Sequence, residues 1–353
     1  MTWILTFIGF AALIILHELG HFTAAKAVGM RVERFALFFP PIVKSRKHGE
    51  TEYGIGAIPL GGYVKISGMN PAEELPPDVA HRAYYNQPVW KRIVVIAAGP
   101  AVNILLAFVI LWAVFLARGE LGSPASVARV EPGKPAAAVL KPGDQILAVD
   151  GRTPAGDGID AQMDSIGKAI ATHHGTPVSL TIKRDGVTKT VQATPFDDKA
   201  MKKWRIGFSQ EATVHDVGAG RAASAAVSGM WSVTSTTVSK IAQIFKPEER
   251  KQLGSVVGGY EATRQAFSYS ATDALILLAI ISLSLGVVNL FPFLPLDGGH
   301  IFWALAEKVR GKAIPFAVME RAGMIGFALV IGLFVIGFTN DIGRLTGGGF
   351  DVR

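Results

Sequence analysis

The chain has no cysteine and little charge: 18% of its 353 residues are Asp, Glu, Lys or Arg, where soluble domains carry about 25%. The first absence excludes a disulfide-stapled fold, so any part outside the cytosol must hold together by packing alone. The second, set beside 50% hydrophobic residues, excludes a disordered chain and points to a membrane-embedded one. A net charge of +7 suits nucleic acid in principle, but the bases do not gather on one polar segment. Between Arg118 and Asp273 nineteen Lys and Arg are nearly matched by sixteen acids, so no nucleic-acid partner is expected.

What the sequence does have is long uncharged runs. Ile93 to Ala117 is 25 residues, Ala274 to Leu296 is 23 and Ala322 to Asn340 is 19, each near the ~20 helical residues a bilayer core needs. Trp3 to Leu16 is only 14 residues, but it continues through His17 to His21 into Phe22 to Val28. With no Lys or Arg before it, it lacks the basic flank of a signal peptide. Ten bases lie between Lys26 and Arg92 and four between Ala304 and Arg321, which places those connections in the cytosol and both termini outside.

The outer connection divides in two. From Ser126 to Ala193, short β-branched runs alternate with turn signals, including Asp185-Gly186 of a hairpin. With Lys141-Pro-Gly-Asp144 and the Ile146 to Gly151 run beyond it, this resembles a PDZ domain. Residues 224–271 read as helical, with Trp231, Ile241 and Phe245 on an apolar face. In the cytosolic connection, Tyr53 to Ile66 is glycine-rich and β-branched: a hairpin, either soluble or dipping into the membrane. The expected fold is therefore a polytopic α-helical membrane protein of four transmembrane helices, with a membrane-associated β-hairpin loop and one extracytoplasmic PDZ-like domain. Its parts are a first transmembrane helix (1–28), a cytosolic loop (29–92), a second helix (93–117), the PDZ-like domain (120–196), a helical connector (197–273), a third helix (274–303) and a fourth (322–340).

The chemistry concentrates in His17-Glu18-Leu19-Gly20-His21. Helical residues four apart lie on one face, so both imidazoles can reach one ion, while Glu18 can act as a base on a water beside it. A solvated helix end with incidental histidines would instead leave Glu18 unpaired among apolar neighbours. Catalytic zinc takes three protein ligands, so one more is required. Asp297, in Asn289-Leu-Phe-Pro-Phe-Leu-Pro-Leu-Asp-Gly-Gly-His300, is preferred over His300. The 14 steps from Trp3 to His17 and the 15 from Ala274 to Asn289 bring the two helices to equal depth, and Pro292 and Pro295 stop the helix there. Asn103, in Gly99-Pro-Ala-Val-Asn103, is a buried amide that either bonds between helices or helps hold the site.

These motifs, with Ile58-Pro-Leu-Gly-Gly-Tyr-Val-Lys65 and the PDZ-like segment, resemble the site-2 protease family of intramembrane zinc metalloproteases, in its bacterial PDZ-containing branch. The resemblance implies a zinc endopeptidase of the bacterial inner membrane that cuts transmembrane segments of single-pass substrates, such as anti-sigma-factor-like regulators or remnant signal peptides, after an earlier cut on the outer side. It implies zinc on His17, His21 and Asp297, Glu18 as catalytic base, and substrate contacts by Asn289, Asn103, Gly61, Gly62, Tyr63 and Val64. Membrane lipid and the single-pass substrate are the implied partners. The rival from a non-enzyme class is a catalytically inactive PDZ-bearing membrane scaffold, which requires the loss of at least one of His17, Glu18, His21 or Asp297; all four are present.

Overall fold

Helix α1 (Thr2–Ala27) has Glu18 and Lys26 as its only formal charges, and an apolar run of this length satisfies its backbone polar groups internally only as a helix. The computed structural model describes the chain except residues 71–72, 119, 156–158, 200–202, 216–217, 245, 247–249, 251–252 and 347–353. Phe245 therefore lies outside the described residues. Contacts divide the chain into two units, residues 1–114 with 223–353, and residues 115–222.

In the first unit, strands β1 (Val32–His48) and β2 (Thr51–Ile66) come after α1. They turn at Gly49, whose φ of +60° is one that glycine adopts without steric cost. The two long strands bend, so that each supplies two segments. Residues 44–48 run antiparallel to 51–55, and residues 34–37 run antiparallel to 62–65 while also meeting 52–55. Segment 62–66 thus forms one edge and 44–48 the other. The sequence signal over Tyr53 to Ile66 marks only one strand. Its partner shows no alternation because Pro40-Pro41 and the bases Lys44, Arg46 and Lys47 interrupt it.

The turn is tied to α1. Glu50 accepts from Lys26 Nζ at 2.5 Å and from Arg82 Nη1 at 2.7 Å, and Arg82 with Lys26 holds its carboxyl down at about 2. A depressed carboxylate stabilises fully above its unfolded value and loses that contribution only as pH falls through the folded one, so this tie is intact at neutral and mildly acidic pH.

A single-turn helix α2 (Pro77–Ala80) precedes α3 (Val89–Arg118). Helix α3 starts four residues before the uncharged run because the bases there are used: Lys91 Nζ donates to Val28 O at 3.0 Å, and Arg92 pairs with Glu307. The third membrane segment is corrected more substantially. After α6 (Ala219–Ala242) and α7 (Val256–Tyr269), helix α8 (Ala271–Asn289) ends at Asn289, and a separate helix α9 (Asp297–Arg310) begins at Asp297. Pro292 and Pro295 in between lack the N–H groups that helix continuation needs. Helix α10 (Phe316–Thr346) completes the chain. Its Asp341, fully buried, accepts from Ser255 N at 2.6 Å and Gly258 N at 2.9 Å, latching the start of α7. Helices α1, α3, α8 and α10 are long and apolar enough to cross a membrane. Little of the apolar stretch of α10 is buried, so most of its apolar side chains face outward.

The second unit is a five-stranded sheet with order β6-β5-β4-β3-β9. Its elements are β3 (Glu120–Val130), a single-turn α4 (Ala136–Val139), β4 (Gln145–Val149), α5 (Ile159–Ala171), β5 (Val178–Arg184), β6 (Val187–Ala193), the short pair β7 (Phe196–Asp198) and β8 (Lys203–Arg205), and β9 (Phe208–His215). Asp185 and Gly186 both have positive φ, as the two-residue hairpin turn requires. Ile146, Ile166, Leu180 and Ile182 are buried at its centre, each worth about 1.5–3 kcal/mol relative to exposure. The boundary at 196 is corrected, and so is the helical connector expected from 197 onward. Residues 203–205 and 208–215 are strand, and β9 pairs antiparallel with β3 from Val130↔Phe208 to Glu120↔His215. That ladder joins residues far apart in the chain, which local periodicity does not register.

Candidate metal centre

The two histidines of α1 lie on one helical face, with their Nε2 atoms 3.2 Å apart. Asp297 arrives in the first turn of α9, and its Oδ2 is 3.3 Å from both. The sequence-distant carboxylate is thus the third member of the group, and among the described residues no other set of this kind is found. His300, one turn further on, is not part of it.

Whether these atoms fit zinc depends on their spacing. Four ligands at about 2.0 Å around a tetrahedral ion stand about 3.3 Å from each other, and the three atoms form a triangle of that edge. Asp297 Oδ2 is buried and makes no hydrogen bond, a cost that a bound cation removes. Two imidazoles and a carboxylate are also the donor types that catalytic zinc takes. The residues present fit the ion.

Helix α3 prepares the rings. His21 Nδ1 donates to Val95 O at 2.9 Å, which leaves the Nε2 lone pair facing the other ligands. His17 Nδ1 lies 3.2 Å from the Asn103 amide nitrogen, while Asn103 Oδ1 is buried without a partner. An amide nitrogen there donates to an unprotonated Nδ1, whereas the turned-over amide would accept from Nδ1–H. Asn103 is fully buried, with its amide against His17.

Two close approaches leave no room for a side chain. A Cβ on Gly99 would lie 2.2 Å from His21 Nε2, and one on Gly20 would lie 2.5 Å from Ala98 O. Val95, Gly99 and Asn103 repeat every four residues, so one stripe of α3 carries all three contacts. That spacing is legible in the sequence, although Val95 acts through a carbonyl and bears no side-chain signal.

Glu18 and the sheet edge also meet. A Cβ on Gly62 would lie 2.1 Å from Glu18 Cγ, so β2 runs directly against Glu18. Leu37↔Gly62, Ala36↔Tyr63 and Phe35↔Val64 fill one side of this segment, and among the described residues the other side pairs with no strand. Val64 turns its side chain into the cluster around Met30, Val32 and Ile66, and the Tyr63 ring sits 6.3 Å from that of Phe39. Gly61 packs on Phe39. Asn289 closes α8 and is half-buried. Beside it opens an apolar cavity of about 860 Å³ lined by Ile104, Phe108, Trp231, Val287 and Pro292 among others.

The model of the family described as peptidase family M50 matches residues 5–333 of this chain. The chain is 30% identical over 388 residues to the zinc metalloprotease Rip1 of Mycobacterium tuberculosis, with 93% of each chain covered. It is 31% identical to Rip1 of Mycobacterium bovis, again with 93% of each covered. Among solved structures, a PDZ domain of an SdrC-like protein from Listeria monocytogenes covers 25% of this chain and 88% of its own at 22% identity and TM-score 0.22, a likeness too slight to bear on the fold.

Proposed function

Because this chain belongs to peptidase family M50, we propose that it cuts peptide bonds within the membrane-spanning segments of single-pass proteins. That it is a multi-pass membrane zinc metalloprotease rests on the family, its relatives and the four apolar helices. The reading of an intramembrane site is carried by one observation, the depth of the centre. His17 and His21 lie ten and six residues before the end of a 26-residue apolar helix, about 15 and 9 Å along it. A bilayer core is about 30 Å thick, so the site falls in its inner half, beside a sheet that runs from Glu50 at the end of α1 back to Gly62 at Glu18.

When bound, zinc polarises the scissile carbonyl and acidifies the attacking water. His17, His21 and Asp297 would hold it, with the Val95 carbonyl orienting the His21 ring. Glu18 takes the proton of the attacking water and returns it to the leaving nitrogen. A helical substrate hides its carbonyls in i to i−4 bonds and must unwind first. The open edge at Gly62 to Ile66 supplies replacement bonds by strand addition, next to Glu18. The cavity beside Asn289 takes apolar side chains of the flanking segment, and Asn289 offers its amide to the substrate backbone. The second unit, read as PDZ-like from its turns and strands, admits substrates already shortened on the outside. By the distribution of bases, it and both termini are extracytoplasmic in the bacterial inner membrane.

The test is cleavage of a labelled single-pass segment by the purified protein in lipid discs, compared with the same segment carrying a bulky outer domain. Preferential cleavage of the short form supports the reading, and cleavage only of soluble peptides overturns it. A second expected result concerns the edge. Gly62→Val forces Glu18 aside, and because a misplacement of about 1 Å costs about 10²-fold, cleavage falls by that order while zinc content stays at the wild-type level. Unchanged turnover would remove the sheet from the site.

A further inference from the structure

Helix α3 touches both helices that carry the ligands. Its stripe at Val95, Gly99 and Asn103 holds the histidines of α1, and Arg92, three residues before Val95, continues the stripe toward the cytosolic end. Arg92 is 8% exposed. Its Nη1 donates to Glu307 Oε2 at 3.0 Å and its Nη2 to Glu307 Oε1 at 2.7 Å. The guanidinium also lies over the Tyr84 ring, 6.0 Å from its centroid. Glu307 belongs to α9, ten residues after Asp297 and about 15 Å further along the same helix.

Asp297 needs such a fixture. Its Oδ2 meets the two histidine Nε2 atoms at 3.3 Å and makes no hydrogen bond, so no hydrogen bond outside the ligand set fixes that oxygen. The first turn of α9 is seated by close packing: Cβ atoms on Gly298 and Gly299 would lie 2.2 Å from Leu290 O and 2.4 Å from Leu294 N. Packing of that kind limits approach but leaves rotation about the helix axis and sliding along it. A two-pronged fork at the far end removes both freedoms, because its parallel hydrogen bonds hold direction as well as distance. Ligand positions must be kept within about 0.5 Å for a site to work.

We infer that Arg92 and Glu307 are the positioning pair for the third ligand, setting the height and rotation of α9 so that Asp297 meets the histidines. This rests on reading His17, His21 and Asp297 as the zinc site. It differs from an ordinary helix-to-helix ion pair in what its loss does: the metal leaves faster, and not merely the fold weakens.

The experiment uses the full-length zinc-loaded protein in lipid discs, mixed with excess chromophoric chelator, and reads the rate of zinc release. Glu307→Gln and Arg92→Lys each remove the fork while keeping size or charge. Both are expected to release zinc about 10-fold faster, the low end of the loss in metal affinity that removing a direct partner of a ligand costs. Asp341→Asn, which loosens the α7–α10 latch away from the centre, serves as the matched destabilised variant and is expected to release zinc at the wild-type rate. Wild-type release from both fork variants overturns the inference, as does equal acceleration in all three variants. A wild-type protein that takes up no zinc overturns the site reading itself, and this inference with it.

Discussion

Replacing Glu18 by Gln is expected to lower peptide cleavage by about 10²–10⁴-fold, the span attributed to a positioned general base, with zinc content unchanged. Gln keeps the size of Glu and the contact with Gly62, where a Cβ would already lie 2.1 Å from the Glu18 Cγ, so the edge strand has no reason to move. It cannot accept a proton at neutral pH. None of the three distances among the ligand atoms involves Glu18, so the metal has no reason to leave. Measuring both turnover of a labelled transmembrane segment and bound zinc separates the roles. Equal turnover in the two proteins would end the assignment of Glu18 as base, and loss of zinc would make it a ligand.

Asp297→Ala should remove zinc from the purified protein, weakening its binding by more than the roughly 10–100-fold that loss of a mere supporting residue costs. Two imidazoles then remain, one short of the three protein ligands usual in catalytic sites. His300 lies one turn along α9, but it is absent from the group formed by His17, His21 and Asp297. Metal analysis after dialysis distinguishes the two donors. Undiminished zinc in Asp297→Ala, together with loss in His300→Ala, would transfer the third position to His300. The fork at Arg92 and Glu307 predicts the same direction with a smaller effect, because its loss displaces the ligand without deleting it.

Legibility differed along the chain for physical reasons. The pairing of His17 with His21 needs only helical spacing, and the approximate depth of both ligand-bearing segments needs only a rise of about 1.5 Å per residue. The break near Pro292 is likewise a local property, since a missing N–H stops a helix wherever it occurs. What lay beyond local reading was the restart. Asp297 opens a new helix instead of closing the old one, and that depends on Gly298 and Gly299 letting the backbone fold against residues 290–294. The same holds for β9, whose partner β3 is distant in the chain, and for the buried Asn103, where a polar residue in an apolar run shows that something is bonded but not what.

By itself the sequence determined which segments are apolar enough to leave water and that two imidazoles share one helical face, because hydropathy and helical periodicity are properties of neighbours along the chain. The tertiary structure alone decided that Gly62 lies on Glu18, that α3 meets both rings, and that Arg92 reaches Glu307. The contacts of His21 with Val95, His17 with Asn103 and Arg92 with Glu307 join residues 74, 86 and 215 positions apart. Such a contact exists only once the intervening chain has packed, since no local periodicity carries information about which distant surface will arrive.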